Sequence, residues 1–91
     1  MKKISSAVDR IVARIIGKKA LLEYEAFREW NTVVGGLVAQ NSVPKKVEKG
    51  VLYVSVKNST WRQELSMQKT QILTKFKDRF GPGIITDIRF Q

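Results

Sequence analysis

The chain has no cysteine and no histidine. The first absence excludes disulfides and thiol chemistry, and the two together remove the commonest zinc-ligand sets. The usual general base near neutral pH is missing as well. No apolar run approaches the roughly 20 residues that a membrane span needs. The basic N-terminus is not followed by a long apolar stretch and a small-residue cleavage site, so no signal peptide is expected. A cytoplasmic, soluble protein without membrane contact is the expectation. No Gly-rich phosphate loop follows a strand, and no two carboxylates stand at a spacing useful for catalysis. The chain therefore does not read as an enzyme, and no cofactor, metal or small-molecule substrate is expected.

Acidic residues are scarce, 8 Asp and Glu against 17 Lys and Arg, which leaves a net charge of +9. Such an excess points to a polyanionic partner, nucleic acid being the commonest. The charge is uneven. Residues 1–19 oppose six basic side chains to Asp9, residues 20–43 oppose Arg28 to Glu23, Glu25 and Glu29, and residues 44–91 oppose ten basic to four acidic. Both ends are basic and the middle is not. With 43% apolar residues over 91 positions, one domain with a modest core is expected rather than disorder.

The stretch Gly50 to Leu65 organises the rest. Leu52, Val54 and Val56 alternate with Tyr53, Ser55 and Lys57, the period of a strand with one face on a core. Asn58-Ser59-Thr60 then breaks the strand. Ser59 or Thr60 is suited to cap the next helix, and a Thr60 cap would put Gln63 at the third position of a capping box. The same three residues form a glycosylation sequon, read here as a turn and cap because no secretory signal precedes them. From Thr60 to Phe80 the sequence predicts one long helix without glycine. Trp61, Leu65, Ile72, Leu73, Phe76 and Phe80 share an arc, opposite a neutral face of Gln63, Ser66, Thr70 and Thr74.

Before this stretch, Ile4, Val8, Ile11, Val12 and Ile15 mark an amphipathic helix over 4–16 that Gly17 ends, with Lys18 and Lys19 suited to its negative end. A second helical segment spans 20–40, with Phe27, Trp30, Val34, Leu37 and Val38 as its apolar stripe and Glu23, Glu25 and Glu29 near its positive end. Gly35-Gly36 is expected as a close-packing point or a bend. Val43 to Lys49 is a short edge strand with Val47 as its clear apolar contact, because Pro44 lacks a ladder donor and its lysines discourage pairing. Lys49-Gly50 is the hairpin turn. Gly81-Pro82-Gly83 stops the long helix, and Ile84 to Phe90 is the last strand.

The order is helix, helix, strand, strand, helix, strand. The strand at 51–57 is expected in the middle, antiparallel to 43–49 and parallel to 84–90. This is an α+β fold with a three-stranded mixed sheet and helices packed on it, the outline of a type II-like KH domain over 20–91, preceded by a basic N-terminal helix over 1–19.

Several motifs then resemble the DciA family of bacterial replicative helicase loaders, or operators. They are Trp30-x-x-Val33-Val34-Gly35, Ala39-x-x-Ser42-x-Pro44, Gly50-x-Leu52-x-Val54-x-Val56, Ser59-x-Trp61-x-x-Glu64-Leu65 and Ile88-Arg89-Phe90. The resemblance covers roughly residues 20–91. It implies a KH-like domain that binds a hexameric DnaB-type helicase, aids its loading and contacts single-stranded DNA. Family members often carry His before the Ser where this chain has Asn41-Ser42, and many carry a long basic tail. Without such a tail in these residues, DNA contacts are expected from the folded domain or its basic N-terminus.

A KH domain grips nucleic acid through a Gly-x-x-Gly loop between two helices, and this chain has none, so KH-type sequence readout is not expected. The residues expected to touch nucleic acid, weakly and without sequence preference, are Lys45, Lys46, Lys49, Lys57, Arg62, Lys69 and Arg89. Lys57, Ser59, Trp61 and Arg62 are expected at the helicase contact, an aromatic beside basic residues being a common interface composition. The helical spacing equally fits Trp61 as a core residue, and Trp30 reads as core. Tyr53 points away from the core and is placed either to stack a base or to pack under the first helix. The alternative function is an RNA-binding KH-like module.

Overall fold

The alternation at 52, 54 and 56 becomes one face of a strand, β2 (Val51–Val56), on which Leu52, Val54 and Val56 are buried. The computed structural model describes residues 17–91, and the helix expected over 4–16 lies outside the described residues. β1 (Ser42–Glu48) pairs antiparallel with β2, and β3 (Asp87–Phe90) pairs parallel with it on the other side. The sheet is thus mixed, in the order β1-β2-β3. Among the described residues, five helical pieces pack on its inner face: α1 (Lys18–Arg28), α2 (Trp30–Val34), α3 (Gly36–Gln40), α4 (Ser59–Met67) and α5 (Lys69–Phe80). This is the expected α+β arrangement, with the strand order and directions read from the sequence, and it is consistent with a small KH-like domain.

The core is continuous. Ala26 and Trp30 meet Leu52, Val54 and Val56 of the sheet, Leu65, Ile72 and Phe76 of the long helical arm, and Ile84, Ile85 and Ile88 near the end. Burying each of the larger aliphatic side chains favours folding by about 1.5–3 kcal/mol. Trp30 lies against Phe76 with ring centroids 6.0 Å apart and is fully buried. Its indole N–H donates to Ser42 Oγ at 2.9 Å, and Ser42 Oγ–H in turn donates to the Val38 carbonyl at 2.7 Å. The Trp and Ser of the sequence motif are therefore partners in one buried relay that ties the helices to the first residue of β1.

Five sequence expectations are corrected. The segment 20–40 is not one helix but three, broken at Glu29 and at Gly35, whose φ is +88°. A Cβ at Gly35 or Gly36 would meet nothing within 4 Å, so the pair is a bend and not a packing point. The bend turns Leu37 out of the apolar stripe and leaves it 68% exposed. The acids are not at the positive end either: the first turn of α1 holds Lys18 and Lys19 and no acid, while Glu23 and Glu25 sit inside the helix.

The helix cap is Asn58, not Ser59 or Thr60. Its backbone is extended, and its Oδ1 accepts from the Trp61 N–H at 2.9 Å. The helix expected to run unbroken over 60–80 is divided at Gln68 into α4 and α5. The Gln68 N–H is shared between the carbonyls of Glu64 and Leu65, a tightened last turn. The Gln68 carbonyl still accepts from the Ile72 N–H at 3.0 Å, so α5 follows directly. The last strand is shorter than 84–90, because Ile84 and Ile85 are both buried in the turn that precedes β3.

Candidate functional site

β1 carries a bulge that the sequence reading missed. Pro44 stands opposite Val54 and Lys46 opposite Tyr53, so Lys45 is an extra residue. The extra residue inverts the alternation. Ser42 and Pro44 face inward before it, and Val47, opposite Leu52, faces inward after it. Lys46, which unbroken alternation would send inward, goes to the outer face instead. A signal was present: Ser42, Pro44 and Val47 cannot all face one side of a regular strand.

The outer face therefore has a defined pattern. Lys46, Tyr53 and Arg89 stand in one row across the three strands, and Glu48, Val51 and Asp87 form the next row. Val43 and Ser55 form the row on the other side. The Lys46 ammonium lies over the Tyr53 ring, 4.8 Å from its centroid, and 3.5 Å from Glu48 Oε1. Arg89 Nε reaches Asp87 Oδ2 at 3.4 Å. Lys69 Nζ, from the start of α5, donates to the other oxygen of Asp87 at 3.2 Å. Burial acts to raise the Asp87 carboxyl, but the Ile88 backbone N–H, Lys69 and Arg89 outweigh it and hold the group below its usual range. Each of these surface pairings is weak, about 0.5–1 kcal/mol for an exposed cation on a ring and about 0.2–1 kcal/mol for an exposed ion pair.

The basic residues singled out in the sequence thus divide. Lys46 and Arg89 flank Tyr53 on the open face. Lys45 is exposed in the bulge, and Lys49 is exposed in the two-residue turn with φ +53°. Lys57 is exposed at the opposite end of β2, about 20 Å away along the strand. Arg62 and Lys69 are half-buried and belong to the helical layer. What the sequence did not reveal is the pair of acids, Glu48 and Asp87, inserted among them.

The corner after β2 is a separate place. The Lys57 N–H donates to the Asn41 carbonyl at 2.9 Å, and Asn41 Nδ2 donates to the Leu37 carbonyl at 2.8 Å. These bonds fasten the end of β2 to α3 and the start of β1. Lys57 and Ser59 are exposed, Arg62 is half-buried, and Trp61 is half-buried with its ring against the core. A shallow cleft beside them is lined by Gln40, Asn41, Val43, Ser55 and Lys57. Val43 is 54% exposed there. The corner therefore combines the cationic Lys57 and Arg62 with the exposed apolar side chain of Val43, which was not singled out as a site residue in the sequence.

The acidic segment is partly spent inside the fold. Glu29 Oε1 lies 2.7 Å from Arg79 Nη2, which joins the α1–α2 junction to α5. Arg28 sits over the Tyr24 ring at 5.8 Å. Among the described residues there is no group of three or more acidic side chains placed to hold a metal ion, and no helix long and apolar enough to cross a membrane.

Comparison with known proteins adds the family. A family profile described as "Dna[CI] antecedent, DciA" matches residues 3–90. The UPF0232 protein of Mycolicibacterium paratuberculosis is 35% identical over 60 residues, 66% of this chain and 33% of that protein. That of Mycolicibacterium smegmatis is 28% identical over 88 residues, 96% of this chain and 45% of that protein. That of Rhodococcus jostii is 33% identical over 60 residues, 66% of this chain and 32% of that protein. The chain spans a third to just under half of the length of these curated relatives. With its motifs seated in one fold and a match running over nearly all of its residues, the chain belongs to the DciA family.

Proposed function

We propose that this protein is a non-enzymatic loader, or operator, of the bacterial replicative DNA helicase, and that it binds the helicase hexamer as its main partner and single-stranded DNA as an auxiliary one. The observation that carries this reading is the family match over residues 3–90. Two features support it. The Gly-x-x-Gly grip of nucleic-acid-binding KH domains is missing from the sequence. The basic outer face is interrupted by Glu48 and Asp87, which suits an auxiliary, salt-sensitive contact with DNA better than a dedicated one. A loader without ATP hydrolysis works by binding energy alone. It must favour one state of the helicase, because a partner with equal affinity for both states shifts nothing.

The contact with the helicase is assigned to the corner at Lys57, Ser59, Trp61 and Arg62. Exposed Lys57 and Ser59 offer charge and hydrogen bonding, and the half-buried Trp61 offers an anchor whose position is fixed by the Asn58 cap. The double variant Lys57→Glu with Arg62→Glu tests this. It is expected to keep the wild-type circular dichroism spectrum and to bind purified helicase about ten-fold more weakly or worse. Wild-type binding by that variant removes the corner from the contact. No helicase binding by the wild-type protein overturns the reading and leaves the RNA-binding module in its place.

A further inference from the structure

In the row Lys46–Tyr53–Arg89 an aromatic ring stands between two cations on the outer face of the sheet. Among the described residues no helix packs on that face, since the core and every helix lie on the other. We infer that this row takes a single unpaired base of single-stranded DNA, stacked on Tyr53 with its neighbouring phosphates held by Lys46 and Arg89, and that Glu48 and Asp87 fix the direction in which the strand leaves. The choice of DNA over RNA rests on the replication reading above.

The ring is currently covered. The Lys46 ammonium lies 4.8 Å from its centroid and is also within 3.5 Å of Glu48. Both contacts are made by an exposed, flexible side chain, so the ammonium can swing to a phosphate while a base takes its place on the ring. A base on an aromatic ring is worth on the order of ten-fold in affinity, and the stack accepts any base because every base has a π-face. Arg89 opposite is likewise exposed and held only through a 3.4 Å contact. On one side of this row, about 7 Å along the strands, stand the carboxylates of Glu48 and Asp87. They repel phosphate and compete for the two cations. On the other side stand Val43 and Ser55, uncharged, and beyond them Lys57. The phosphodiester therefore leaves Tyr53 over Ser55 toward Lys57 and not over Val51. An acid among the basic residues thus weakens binding while it sets direction, so removing it must tighten the complex.

Titrating the 91-residue protein against a dye-labelled oligo-dT by fluorescence anisotropy at fixed salt tests the inference. Tyr53→Ala is expected to weaken binding about ten-fold, and Tyr53→Phe to stay within about two-fold because the π-face is kept. Glu48→Gln is expected to tighten binding about two- to five-fold. A folded Tyr53→Ala protein that binds like wild type overturns the stack. A Glu48→Gln protein that binds no tighter than wild type overturns the role of the acids, and this arm stands even where Tyr53→Ala fails to fold. Tighter binding of oligo-U RNA than of oligo-dT overturns the assignment to DNA. Helicase pull-down with the same proteins separates the two readings. Helicase binding without oligo-dT binding sinks this site and leaves the loader reading, whereas Tyr53-dependent DNA binding without helicase binding does the reverse.

Discussion

The inner and outer faces of the sheet are written by the same three strands, yet they follow different rules. On the inner face, Leu52, Val54 and Ile88 are fully buried and each is held by many weak contacts. On the outer face, Lys46, Tyr53, Glu48, Asp87 and Arg89 are held by a few exposed polar contacts that water and salt weaken. The inner face sets whether the chain folds. The outer face carries few contacts on which folding depends.

Neighbouring residues on β2 give the sharpest form of the contrast. Leu52→Ala is expected to cost about 2–5 kcal/mol of stability, as a core truncation with a residual cavity does. Tyr53→Ala, one residue on but facing out, is expected to cost well under that, within about 1 kcal/mol. Urea denaturation of the two proteins checks the difference, and equal losses would break the distinction between the faces. Next in size is Ser42→Ala. It leaves the Trp30 indole N–H buried without its acceptor and is expected to cost about 1–3 kcal/mol. The control is Ser55→Ala on the outer face, for which a change near zero is expected in the same urea experiment.

Arg79→Ala tests a contact that joins helices rather than strands. It leaves the mostly buried Glu29 without its cation, and a loss of about 1 kcal/mol in the urea midpoint analysis is expected. The smallest effect concerns Asp87. Its carboxyl is held below the usual range in the fold, so the stability it contributes is present above the unfolded pKa of about 4 and is lost as the pH falls through the lower folded value. Asp87→Asn should therefore be slightly less stable than wild type at pH 7, and the gap should close as the pH falls through the lowered folded pKa. A gap that is constant with pH would show that the ionised carboxylate is not what matters.

Much of the inner face was legible from the sequence. The period of two at 52, 54 and 56, the arc from Trp61 to Phe80 and the Lys49-Gly50 turn place the middle strand, the long helical arm and the hairpin, because burial selects residue type at each such position. The breaks were not legible in the same way. Gln68 has no unusual propensity, and nothing local in the sequence marks the division there. Gly35 was visible as a weak point, but its positive φ, and so the outward turn of Leu37, depends on the backbone geometry of the bend. The outer-face pattern depends on register. Nothing local in Lys46 or Arg89 says that they share a row with Tyr53, since that follows from a bulge at Lys45 and from a strand 36 residues away in the chain.

That separation has a kinetic side. β1 and β2 are joined by two residues, so their pairing closes almost no loop, whereas β3 can dock only after both long helices have been laid down. β3 also pairs with β2 over only four residues, against a longer ladder on the other side. The hairpin is expected to form early and the last strand late, and in the native state the last strand is the one that opens first. Amide hydrogen exchange at Arg89, whose N–H faces β2, should accordingly run faster than at Tyr53, whose N–H faces β1. Each such opening carries Arg89 away from Tyr53 and releases Lys69 from Asp87, so the row is assembled and dismantled by the motion of one short strand.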